Sequence, residues 1–293
     1  MELKLRNWIN INKLNWEYLS TNPNAINLLS QNLDKIDWDL LSANPNAIQI
    51  LKENPDKINW DYLLENPNAI DLITKNLDKI NWDYLGLNHN AIDLISQNLD
   101  KIDWDYLSFN PNAINILEKN LNKINWKYLS KNPNAIHLLQ DNQNKIDWDL
   151  LSLNPNAINL LKENPEKINW DYLLENPNSI YLFKYFPHKN NWEHLLCNSL
   201  SLDFIKGNED KINWDYLSKN PNAIEILQEN QDKINYNLLS INPSIFTYDY
   251  QEIKNKNHHL NEAIIQKSLH PKRMLRLMNE YGEDEIYNCF FDD

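Results

Sequence analysis

The chain has 293 residues, a net charge of −13 and only three glycines and two cysteines. Gly86, Gly207 and Gly282 are too few for most phosphate-cradling and catalytic turns, and the acidity opposes non-specific attraction to phosphate backbones or anionic lipid. Cys197 and Cys289 form no CxxC pair, and no apolar run nears the roughly 20 residues of a membrane span, so a soluble, intracellular protein without cofactor is expected.

Met1 to Asn10 lacks the apolar stretch of a secretory signal, and residues 1–15 are expected to form an N-terminal cap. From Trp16 onward a tryptophan returns every 22 residues, through Trp38, Trp60, Trp82 and their successors to Trp214, and Tyr236 takes the next place. Such a period is the signature of a solenoid. The expected fold is therefore all-α, an α-solenoid with two short helices per 22-residue repeat over residues 1–243, followed by a C-terminal helical cap over 244–293.

Within one repeat, Asp37 to Ile58, two similar arms follow each other. The first has a cap residue, then Trp38 and Leu41, enough for one α or 3₁₀ turn before Asn44-Pro45. In the second, Ala47, Ile48, Ile50 and Leu51 mark one helical face, which predicts a helix over about 45–53 with Asn44 as N-cap. Asparagine and isoleucine, with lysine, are residues of adenine- and thymine-rich codons, so raw asparagine counts carry little weight. The asparagine columns through Asn44 and Asn54 nevertheless suit orphan helix-end groups. Since helices this short are marginal alone, stacked tryptophan, leucine and isoleucine columns are expected to form the core between layers of a rod or superhelix up to about 100 Å long. A leucine-rich horseshoe is the competing fold, but proline recurs where its strand would need a donor.

A lysine column (Lys35, Lys57, Lys79, Lys101) stands four residues before an acidic one (Asp39, Asp61, Asp83, Asp105), which reads as a ladder of surface ion pairs. Two columns vary freely: the residue before the first Asn-Pro, which includes Phe109, and the residue after the isoleucine, which includes His137 and Tyr181. Variable columns on one face are where repeat proteins carry recognition, so Phe109 and His137 are candidate partner-binding residues.

The repeat at Ser179 to Lys189 departs most, with Tyr181, Phe183, Tyr185 and Phe186 within six residues. One short helix face cannot bury all four, so Tyr181, Tyr185 and Phe186 are candidate anchors for a protein partner. His188, His194 and Cys197 match no common metal-ligand spacing, and no metal site is expected. In the tail, helices are expected over His258–Leu269 and Pro271–Tyr281, the second with an apolar stripe of Met274, Leu277, Met278 and Tyr281, and with a basic cluster of Lys267, His270, Lys272, Arg273 and Arg276.

The Trp-x-x-Leu-Ser-x-Asn-Pro-Asn-Ala-Ile-x-x-Leu unit, with the Leu269-His270-Pro271-Lys272-Arg273 tail, resembles the repeat proteins encoded in many copies by giant DNA viruses of amoebae. The likeness covers Trp16 to Asn242 and the tail, and the repeat between Phe186 and Asn208 departs from it. It implies a viral origin and an interaction role, and no chemistry. The expected function is a non-enzymatic protein-protein interaction scaffold, with a structural component of a virus particle as the alternative and nucleic-acid binding behind both. An enzyme is not expected, because the seven histidines are scattered and the acidic residues recur as ladders.

Overall fold

The computed structural model describes residues 3–173, 175–186, 212–249 and 271–281. Two compact parts are distinguished, Leu5–Phe246 and a second made of Met1–Lys4 with Thr247–Asp293. The larger part is an all-α repeat solenoid, numbered here as repeats 1 (Trp16) to 11 (Tyr236). Each repeat opens on an asparagine or aspartate in extended conformation whose side chain accepts backbone N–H groups ahead of it, as Asp37 does from Leu40 and Asn59 from Asp61 and Tyr62. The first helix follows, Trp38–Ala43 in repeat 2, a full six residues where the spacing suggested a single turn. The second helix, Ile48–Glu53, begins three residues after Pro45, because Asn-Pro-Asn-Ala makes a turn of its own in which Asn44 accepts from the Asn46 N–H. In repeat 3 that turn is a 3₁₀ helix, Pro67–Ala69.

Leucine, alanine and isoleucine columns fill the core: Leu41, Ala47 and Leu51 are fully buried and Ile58 nearly so, and the same holds in register along the array. The tryptophans differ from expectation. They are half-buried, and in eight places the lysine of the following repeat covers the aromatic ring, as Lys123 covers Trp104 at 4.6 Å and Lys145 covers Trp126 at 4.3 Å. The expected ion-pair ladder is thereby corrected. Lysine and acid are separated by an extended cap residue, so their four-residue spacing is not helical, and the ion pairs among the described residues are Lys4–Asp249 and His137–Glu118.

Consecutive repeats are tied by three ladders of polar side chains. Buried Asn44 donates to the Ser20 and Asn22 carbonyls of the preceding repeat, and Asn132 does the same to Ser108 and Asn110. Asn46 donates to the Pro23 carbonyl, and Asn134 to Pro111. The buried Ser20 hydroxyl donates to the Trp16 carbonyl and accepts from the Asp37 N–H of the next repeat. A further column closes each second helix, where Asn54 donates to the Ile50 carbonyl and Asn76 to Leu72. Asparagine is thus the chief polar cement of the array, and codon composition does not account for where it stands.

The ladders do not stop at the ends. Asn22 of repeat 1 donates to the carbonyls of Ser240 and Asn242 in repeat 11, Asn24 donates to Pro243, and the Asn15 N–H reaches Ser240 Oγ. Lys13 covers the Tyr236 ring at 4.8 Å. These are the internal pairings with eleven repeats of 22 residues added to each offset. Repeat 11 is therefore the predecessor of repeat 1, and the array closes on itself. Strand β1 (Leu3–Leu5) pairs with β2 (Phe246–Tyr248) beside this seam, and Arg6 adds a backbone bond to Ile245 and a side-chain bond to the Ser244 carbonyl.

Closure overturns the expected open rod or superhelix. It also removes the need for residues 1–15 to cap an exposed layer, since the two terminal repeats cover each other. In the smaller part, Pro271–Tyr281 is helical as expected, with Met274 buried, Leu277 and Met278 half-buried and Leu275 exposed. The expected helix His258–Leu269, with Lys267 and His270, lies outside the described residues, as do His188, His194 and Cys197.

Candidate functional site: the first-helix face of the closed array

First helices of successive repeats lie closer together than second helices do, so the first-helix layer is the concave side of the array. Three positions of each first helix reach this surface: the two residues after the tryptophan and the variable residue before Asn-Pro. The first is almost always acidic, as Asp39, Asp61, Asp105 and Asp171 are, and exposed. The second is tyrosine or leucine. Tyr62, Tyr128 and Tyr172 are 40 to 45% exposed, and Tyr84 and Tyr106 half-buried. Reading the sequence for variability alone misses this tyrosine column, although its alternation with Leu40, Leu150 and Leu238 at one place in the repeat was the available signal.

Repeats 3 to 5 interrupt the regular packing. Leu64 and Gly86 stand where other repeats have the bridging serine, so the N–H groups of Asn81 and Asp103 have no hydroxyl to meet. The first helix of repeat 4, Trp82–Leu87, is wound as 3₁₀. It lies so close to repeat 5 that a Cβ on Gly86 would stand 2.8 Å from the Leu107 nitrogen. Here Tyr84 and Tyr106 meet edge to face at 5.2 Å. Together with Asp61, Tyr62, Glu65 and Leu87 they line a recess of about 330 Å³. Neither Asp61 nor Glu65 uses its carboxylate in an ion pair or side-chain hydrogen bond among the described residues. By contrast Asp39, Asp149 and Asp215 each accept from the asparagine 20 residues on. Desolvation, then the neighbouring Tyr84, Asp103 and Tyr128, raise the Tyr106 phenol above its ordinary pKa.

The candidate residues read from the sequence are not brought into one place. Phe109 belongs to a first helix, is half-buried, and has the Lys131 ammonium 5.3 Å above its ring. His137 belongs to a second helix, is exposed, and pairs with Glu118 at 2.8 Å. Tyr181 and Tyr185 share the second helix Ile180–Tyr185 and are 50% and 59% exposed, with Lys162 lying over Tyr185. Phe186 is corrected as an anchor, because it is half-buried and packs edge to face on Trp170, beside the buried Phe183. Among the described residues no group of histidine, cysteine, aspartate and glutamate is placed to hold a metal ion, and no helix is long and apolar enough to cross a membrane. No protein-family model, curated protein or solved structure matches the chain.

Proposed function

We propose that the chain is a non-catalytic protein-binding scaffold that offers the concave, first-helix face of a closed array to a partner. The observation that carries this is the division of labour between columns. The fixed leucine, alanine, serine and asparagine columns are buried and spent on holding repeat to repeat, while the residues that change from repeat to repeat, such as Glu65, Lys131, Glu175 and Lys219, face solvent on that rigid frame. Rigid, preorganised surfaces bind with little ordering cost, which favours recognition over chemistry as the use of such a frame.

The test is capture of a partner by the immobilised full chain, repeated with two sets of substitutions that melt as the parent does. One set replaces Tyr62, Tyr128 and Tyr172 on the first helices by the leucine found in the same column. The other replaces Tyr181 and Tyr185 on a second helix by asparagine and glutamate, the residues of regular repeats. Loss of the partner with the first set and retention with the second is the expected result. The reverse would move the interface to the second-helix face.

A further inference from the structure

The recess across repeats 3 to 5 combines three features that each favour the same kind of guest. Its walls include three tyrosine rings, whose faces attract a cation. Its mouth carries the carboxylates of Asp61 and Glu65, which nothing among the described residues neutralises. Its depth, near Leu87 and the half-buried edges of Tyr84 and Tyr106, removes part of the water that would otherwise weaken both attractions. The aspartates equivalent to Asp61 in repeats 2, 7 and 10 are held by a neighbouring asparagine, so the free carboxylate is a local property of this place.

We infer that this recess is a binding site for a lysine or arginine side chain carried by a basic, extended segment of the partner protein. The inference rests on the scaffold reading above and adds the partner's chemistry to it. An acidic side chain would meet two uncompensated carboxylates, and an aliphatic one would leave them unused, so charge and aromatic lining together select a cation.

The sequence contains a matched control. Repeat 8 has Asp171, Tyr172 and Glu175 in the places of Asp61, Tyr62 and Glu65, but the following repeat supplies His194 and Cys197 in place of Tyr84 and Leu87. Binding of fluorescein-labelled hexalysine to the full chain, followed by anisotropy at a salt concentration of about 0.15 M where diffuse attraction is screened, compares the two. The pair Asp61→Asn with Glu65→Gln is expected to weaken binding roughly tenfold, and Asp171→Asn with Glu175→Gln less than twofold. Tyr84→Leu, a residue the same column uses elsewhere, should weaken binding by roughly fivefold while helicity and melting stay unchanged.

Equal losses for the two carboxylate pairs would reduce the effect to a diffuse acidic field and overturn the site. So would absence of hexalysine binding to the parent chain, or binding unaffected by Tyr84→Leu. A partner captured equally well by the parent and by the Tyr84→Leu chain would leave the scaffold standing without this site. Hexalysine held at the recess with no protein captured would separate the two the other way.

Discussion

The seam between repeats 11 and 1 has no covalent continuity, yet it reproduces every ladder of a regular interface. The interfaces on either side of repeat 4 lie within the continuous chain and lack one of them. At the seam, Asn22, Asn24, Asn15 and Lys13 find Ser240, Asn242, Pro243 and Tyr236 at the standard offsets. Around repeat 4, Leu64 and Gly86 delete the serine bridge, and the first helix tightens to 3₁₀. What makes two layers neighbours here is therefore the set of side chains they exchange, and the peptide link between them is incidental.

The strongest test of that equivalence removes the buried asparagine on each kind of interface. Asn22→Ala at the seam and Asn132→Ala in the interior each strand two carbonyls and one N–H, so both should cost about 2–4 kcal/mol in chemical denaturation. A much smaller cost for Asn22→Ala would mean that the seam is open in solution. Next, Gly86→Ala should cost about 1–3 kcal/mol by forcing repeats 4 and 5 apart, since its methyl group meets the Leu107 backbone. A neutral result would show that the tight interface yields easily.

Smaller effects sharpen the same comparison. Lys123→Ala and Lys13→Ala each lose one ammonium-over-ring contact, about 0.5–1 kcal/mol, with the smaller loss at the seam because Tyr236 is a weaker partner than tryptophan. Calorimetric melting of the two chains would rank them. The least effect concerns His89, which stands in repeat 4 where other repeats have proline, and whose pKa burial lowers from 6.5. The folded chain prefers the neutral ring, so its contribution is complete above pH 6.5 and is lost as pH falls from there through the lower folded value. His89→Pro should lose less stability than the parent between pH 7.5 and 5, and identical pH profiles would refute the assignment.

The sequence made the architecture legible at the level of one repeat and illegible at the level of eleven. A fixed period, caps such as Asp37, and the apolar spacing of Ala47, Ile48 and Leu51 announce short stacked helices, because local hydrogen bonding and side-chain direction decide them. Closure depends on a small rotation added at each layer, and no single repeat encodes that sum in a readable residue. Lys123 was misread for a related reason: its neighbour in space is Trp104, 19 residues back, whereas an i, i+4 rule looks only along one helix. The recess was half visible. Leu64 and Gly86 stand out in the serine column, but that their absence of hydroxyls coincides with three tyrosines around one hollow is a fact of three repeats taken together.

Closure also gives the copy number a meaning that it lacks in an open solenoid. An open stack gains or loses a 22-residue unit through unequal exchange between gene copies, with every remaining interface left as it was. Here a tenth or twelfth of the circle cannot replace an eleventh without changing the angle at each layer at once, and the donors of Asn22 would no longer meet Ser240 and Asn242. Eleven is thus a geometric quantum number of this chain: its repeats are free to diverge in what they display and held constant in how many they are.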